Sequence, residues 1–232
     1  MPLLVTAATG SELTAALPPL QGRELPEQQA IPLTWRGREL LAYVTGVGPV
    51  NAALALGLIL GARTDIHGVL NTGLAGSFDL DALPLGALAL VTEEILPEYG
   101  LCSDCGISDA QALRFPQWNP RDQEPVFAHL PLPDCAAELG LSLPAGLARA
   151  SSLTVAGVSA TPARARALRS AFPALLENME GFAVALACAR RGIPCVELRC
   201  VSNLVSAQEA RLRDFSGALR VMAATLPDIL NP

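Results

Sequence analysis

"ELLAYVTGVGPVNAALALGLILGARTDIHGVLNTG", residues 39 to 73, carries two apolar, strand-like runs with a helical pattern between them. The runs are 39 to 48 and 67 to 73, the helix fits 49 to 62, and each run ends in a glycine turn. A helix placed this way is the crossover that lets two strands lie parallel in one sheet. The same alternation extends in both directions. Strand patterns recur at 2 to 8, 86 to 92, 152 to 157 and 193 to 202, and helices fit 11 to 17, 162 to 171, 179 to 191 and 215 to 230. The order predicts the α/β class, with a largely parallel sheet covered on both faces.

Two stretches break the rhythm: the proline-rich "PPLQGRELPEQQAIP" at 18 to 32, and residues 97 to 150 with their prolines, Trp118 and a Cys102/Cys105 pair. Loops of that length inside a domain usually carry function or further structure. With no internal repeat and no linker, the expectation is one domain over 1 to 232, with an irregular insertion around 97 to 150.

Composition excludes several chemistries. The 16 basic residues are all arginine, so there is no Walker lysine and no Schiff-base lysine. Only His67 and His129 are present, which supplies neither a histidine triad nor a multi-histidine metal site. A net charge of −6 argues against a nucleic-acid partner. Of 232 residues, 51% are hydrophobic, ample for a core, yet no apolar run approaches the ~18 residues of a membrane span. A cytoplasmic protein without membrane association is expected. The cysteines at 102, 105, 135, 188, 195 and 200 read as thiols, because "CSDC" has no second pair at ligand spacing. No metal and no cofactor is expected.

In α/β sheets, ligands bind beyond the carboxyl ends of the strands. "TGVGPVN" at 45 to 51 lies at such an end but lacks the third glycine of a dinucleotide site. "NTGLAGSF" at 71 to 78 suits close approach of backbone to a flat ligand. "VTAATGSEL" places Glu12 after the first strand, where the ordinary reading is a first-turn acid on the helix dipole. "ENMEG" offers the same reading for Glu180, and "RCVSN" ends the last strand at Asn203.

Together, "VTAATGSEL", "GVGPVNAA", "NTGLAGSF", "ENMEGFAVALAC" and "ELRCVSN" resemble, in order and spacing, the purine nucleoside phosphorylase and nucleosidase superfamily. The resemblance runs from Val5 to Asn203 with a gap over 97 to 150. Within it the motifs are most similar to the futalosine hydrolase family, and next to the methylthioadenosine/S-adenosylhomocysteine nucleosidases, which have aspartate where Asn203 stands here. The resemblance implies a three-layer α/β/α fold and hydrolysis of the N-glycosidic bond of futalosine, in an alternative menaquinone pathway. The alternatives are the adenosine-type nucleosidase activity and a non-catalytic purine-nucleoside binding protein.

The resemblance also implies roles. Glu12 aligns with the water-activating base, Glu180 with the carboxylate that grips the ribose hydroxyls, and Met179 with the residue under the sugar. Leu74, Ala75 and Gly76 fall against the purine, Val47 near the sugar, and Ser202 beside Asn203, which is expected with Glu12 as a catalytic residue and meets the departing base. Arg199 belongs to the same motif, its ordinary reading being an ion pair with Glu197 or a first-turn acid. Glu177 and Asn178 receive no role and read as helix caps. The matched motifs supply no receptor for the 5′ arm; Arg114, Phe115, Trp118 and Arg121, in the gap, read either as a lid of mixed aromatic and cationic character or as a solvated surface loop. By analogy the protein is expected to be a homodimer that binds a small-molecule nucleoside.

Overall fold

The computed structural model describes residues 1–102, 108–122 and 124–231. Strand β1 (Leu3–Ala7) runs into helix α1 (Gly10–Ala16), and the hairpin β2 (Ile31–Trp35) and β3 (Arg38–Val44) leads to α2 (Pro49–Ala62) and β4 (Gly68–Ser77). There follow β5 (Leu88–Ile95), the two-residue strands β6 (Leu101–Cys102) and β7 (Ser108–Asp109), α3 (Ala110–Leu113) and β8 (His129–Pro131). The chain ends with β9 (Ala148–Thr154), α4 (Pro162–Ala171), β10 (Leu176–Asn178), α5 (Gly181–Arg191), β11 (Cys195–Leu204) and α6 (Phe215–Ile229).

Nine of these strands form one sheet in the order β10-β9-β5-β11-β4-β1-β3-β2, with β8 paired to β5. Strands β3, β1, β4 and β11 are mutually parallel, so the 39 to 73 stretch does form the parallel crossover, with β1 inserted between its two strands. Strands β5, β9 and β10 are parallel to one another but run against β11 and β4. Because β10 pairs with β9 on one side and β4 on the other, the strands β4, β11, β5, β9 and β10 close into a ring.

The period of two along each strand sends alternate side chains to opposite faces. Leu4, Leu41, Tyr43 and Val69 pack with Leu56, Ile59 and Leu60 of α2 and with Val184 and Cys188 of α5. Leu3, Val5, Ala42 and Leu70 pack with Leu13 of α1 and with Met222 and Leu226 of α6. Two helical layers therefore cover the sheet, as the α/β reading requires.

The 97 to 150 region is more integrated than an insertion would be. Strand β8 extends the main sheet, Leu130 and Leu132 join the α2/α5 core, and Ala136, Leu139 and Leu141 join the α1/α6 core. Leu139 lies so close to Gly68 that a side chain there would collide with it. Cys105 of the "CSDC" pair lies outside the described residues, while Cys188, Cys195 and Cys200 are buried thiols in α5 and β11. No helix among the described residues is long and apolar enough to cross a membrane.

Candidate active site

Beyond β1, Thr9 opens α1 with a capping box: its hydroxyl accepts the Glu12 N–H, and Glu12 Oε2 accepts the Thr9 N–H at 3.0 Å. The Thr9 hydroxyl also donates to Oε2, at 2.7 Å. The other oxygen, Oε1, accepts the Leu74 N–H of β4 at 2.9 Å. Glu12 is thus both a first-turn acid and a carboxylate pinned across two strand ends. Its neighbour Gly73 must lack a side chain, because a Cβ there would come 2.9 Å from Glu12 Oε1 and 2.7 Å from Arg199 Nη1. The two charged groups share that gap.

At the end of β10, Asn178 Oδ1 accepts the Glu180 and Gly181 N–H groups at 2.8 and 2.7 Å; it stands two residues before the N-cap of α5, which is Glu180, and ties down the turn into the helix. Glu177 does not cap. Its carboxylate instead accepts the N–H and hydroxyl of Ser159, tying down the loop between β9 and α4. Glu180 Oε1 accepts the Gly48 N–H at 2.9 Å, and Oε2 lies 3.7 Å from Arg199 Nη1. Gly48 has φ +94°, a left-handed conformation that favours glycine and aims its N–H at the carboxylate.

Beneath this pair lies Arg199, 1% exposed. Its Nε donates to Glu197 Oε1 at 2.7 Å and its Nη2 to Asn178 Oδ1 at 3.3 Å, which bears out the ion pair with Glu197. Burial opposes its charge, but Glu197, Glu180 and Glu94 outweigh burial and hold the guanidinium above its usual range. Glu94, fully buried on β5, accepts the Thr154 hydroxyl and the Asn178 Nδ2–H. Burial first, and then the charge of Glu197, push the Glu94 carboxyl well above the ordinary glutamate value. Burial also raises Glu180, against the lowering pull of Arg199 and Gly48.

These groups floor a pocket of about 330 Å³ at the carboxyl ends of β1, β4 and β11. Glu12, Val47, Leu74, Ala75, Gly76, Met179, Glu180, Ser202 and Asn203 all line it, whereas Arg199 lies below. The Ser202 hydroxyl donates to Asn203 Oδ1 at 2.9 Å, and Asn203 Nδ2 donates to Leu204 O at 3.0 Å, so both ends of the amide are oriented. Arg114, Phe115, Trp118 and Arg121 are not among the residues lining this pocket. The walls come instead from Val158 after β9 and from Phe215 and Leu219 on α6. The strand-end rule, applied to "VAGVSA" after β9, points to Val158. Phe215 is signalled by an aromatic at the first position of the helix that follows "RCVSN".

Buried carboxylates converging with an arginine under an apolar slot, at the carboxyl ends of strands, form the kind of site in which an α/β enzyme holds a small molecule. The chain belongs to the Phosphorylase superfamily, whose family model matches residues 3–231. It is 36% identical over 202 residues to the futalosine hydrolase of Thermus thermophilus, covering 85% of each chain. It is 33% identical over 208 residues to that of Streptomyces coelicolor, covering 84% of this chain and 80% of the other. The fold matches a 5′-methylthioadenosine/S-adenosylhomocysteine nucleosidase from S. pneumoniae, solved with a transition-state inhibitor. The TM-score is 0.75 at 20% identity, over 100% of this chain and 99% of that one.

Proposed function

We propose that this protein is a purine nucleosidase that hydrolyses the N-glycosidic bond of futalosine, releasing hypoxanthine and dehypoxanthine futalosine in an alternative menaquinone pathway. The observation that carries this reading is the pairing of Glu12 and Glu180 over Arg199 in one pocket, in a chain 36% identical to a futalosine hydrolase. Breaking the bond leaves an oxocarbenium-like ribosyl cation, which needs negative charge nearby and an activated water. Glu180 supplies the charge and, as an acceptor-only group, takes hydrogen bonds from the two vicinal hydroxyls of the sugar. Glu12, which lines the pocket, takes the proton of the attacking water.

Leu74, Ala75 and Gly76 lie against the purine, Met179 under the sugar, and Asn203 at the base edge, its amide oriented by Ser202. A phosphate would meet Glu12 where a phosphorolytic enzyme needs a cation, so water is the acceptor.

The active form is a cytoplasmic homodimer built from one domain over 1 to 232. Supporting the dimer, α2 is apolar on its outward face too, with Val50, Leu54 and Leu58 exposed. A groove of about 590 Å³ between α2 and α5 reaches Gln117, which brings the 114 to 121 segment to the same face. A second subunit seated there would carry that segment toward the neighbouring pocket.

The test is to incubate the purified protein with futalosine, aminofutalosine and methylthioadenosine, with and without phosphate, and identify the products. Hypoxanthine and a free sugar hemiacetal from futalosine without phosphate are expected. Strict phosphate dependence would refute hydrolysis, and release of base from methylthioadenosine alone would assign the adenosine-type activity.

A further inference from the structure

Asn178 makes more polar contacts than any pocket residue expected from the sequence, and it touches groups on four other elements. Its Oδ1 accepts the N–H groups of Glu180 and Gly181 at the start of α5 and the Arg199 Nη2–H from β11. Its Nδ2 donates to Glu94 Oε1 on β5 at 2.7 Å and to Ser152 Oγ on β9 at 2.6 Å. Each partner needs the end of the amide it meets. The helix start and the guanidinium offer only donors, and Nδ2 meets acceptors in Glu94 Oε1 and Ser152 Oγ, so a group with separate acceptor and two-proton donor ends fits where a carboxylate has no donor and a hydroxyl only one proton. Gly181 completes the fit, since a Cβ there would come within 2.5 Å of both Glu94 Oε1 and Glu197 Oε1.

We propose that Asn178 is a positioning residue for Glu180, fixing the turn between β10 and α5 so that the Glu180 carboxylate stands where the sugar hydroxyls are gripped. The proposal rests on the reading of Glu180 as the ribose clamp. Glu180 is otherwise held at its carboxylate by the Gly48 N–H and by Arg199, and at its carbonyl by the Ala183 and Val184 N–H groups of α5, which leaves its own N–H to Asn178. Asn178 alone anchors the Glu180 N–H from a side chain. Productive geometry tolerates displacements of only about 0.5 Å, so releasing that N–H moves the clamp enough to matter.

The experiment compares kcat and KM for futalosine and its 2′-deoxy analogue in the wild type and in Glu180→Gln, Asn178→Ala, Asn178→Asp and the double variant Asn178→Asp with Glu94→Gln. Thermal unfolding is followed in parallel. Glu180→Gln should erode the wild-type discrimination between the two sugars. Asn178→Ala and Asn178→Asp should cut kcat/KM on the ribosyl substrate by roughly 10- to 100-fold and move the ribosyl/deoxyribosyl ratio toward that of Glu180→Gln. The double variant exchanges donor and acceptor between positions 178 and 94, and should recover much of the ratio, which a loss of stability alone would not do. It also serves as the test if Asn178→Ala fails to fold. Folded Asn178 variants with a wild-type ratio, or a double variant no better than Asn178→Asp, would overturn the positioning role. A wild-type ratio in Glu180→Gln itself would instead refute the clamp, and the inference with it.

Discussion

Glu12, Asn178 and Glu180, on the floor of the pocket, are buried and each is held by polar contacts from at least two elements of the fold. Val47, Val158 and Phe215, on its rim, are 50%, 63% and 51% exposed and are apolar. The floor cannot readjust without leaving a charge or a backbone N–H unpaired. The rim can, because apolar contacts have no direction. On the proposed function, the floor would meet the demands of bond breaking, common to any ribosyl substrate, and the rim would tolerate different substituents.

The sharpest break in that contrast is Glu12→Gln. It should lower kcat by roughly 10²-fold or more with KM nearly intact, because activation of water is lost, and lower stability by ~1 to 3 kcal/mol, because the amide NH₂ must face either the Thr9 or the Leu74 N–H. Steady-state kinetics on futalosine check it, and turnover within a few fold of wild type would move the base elsewhere. Arg199→Met attacks the floor from below and leaves Glu197 buried without its cation. Urea unfolding should show a loss of about 3–5 kcal/mol, the range for breaking a buried ion pair from one side. Retention of wild-type stability would mean that the floor is less tightly constrained than its contacts suggest.

Asn203 stands between floor and rim. Its amide should favour a 6-oxopurine over a 6-aminopurine, since a mismatched buried donor costs ~1 to 3 kcal/mol, or roughly one to two decades in kcat/KM. Asn203→Asp should narrow or reverse that preference, and an unchanged futalosine to aminofutalosine ratio would show that the residue does not read the base. On the rim itself, Phe215→Ala should raise KM for futalosine by no more than about tenfold, ~1.4 kcal/mol, with kcat preserved. A larger fall in kcat would erase the distinction between the two regions.

The smallest effect lies deepest in the floor. The Glu94 carboxyl is raised by burial, so the folded chain keeps a proton that the unfolded chain has released once pH passes the ordinary glutamate value. That group's stabilisation is complete below the ordinary value and is lost as pH rises through the raised one. Glu94→Gln has no proton to lose, so its Tm should decline less steeply with rising pH than that of wild type. Parallel curves from pH 4 to 9 would contradict this.

The parts of the site that the sequence disclosed are those written in consecutive residues. "VTAATGSEL", "NTGLAGSF" and "RCVSN" each hold a strand end and its polar residue together, and they reappear as the ends of β1, β4 and β11. The Arg199–Glu197 pair was legible for the same reason, since residues two apart in a strand share a face. The network around Asn178 was not. It draws on β5, β9, β10 and β11, which meet only because β5, β9 and β10 reverse direction and close on β4. Strand β10 has three residues, too few for any periodicity, and it looked like the approach to a helix. Strands β2 and β8 were missed because proline-rich surroundings resemble loop. Hence Glu177 was read as a cap when it fastens a distant loop.

The ring formed when β10 joins β9 to β4 also bears on how this molecule avoids its own copies. A closed circuit of strands presents no unpaired backbone to a neighbour, so within the nine-stranded sheet, among the described residues, further pairing is left to its margins. Those margins are β2, which among the described residues pairs with β3 alone, and β8, which pairs with β5 alone. Each carries a proline, Pro32 in one and Pro131 in the other, which takes a donor out of a row that an incoming strand would need. The strand reversal that assembles the buried charges thus also leaves the sheet with two short, proline-blunted edges, a defence against edge-to-edge aggregation.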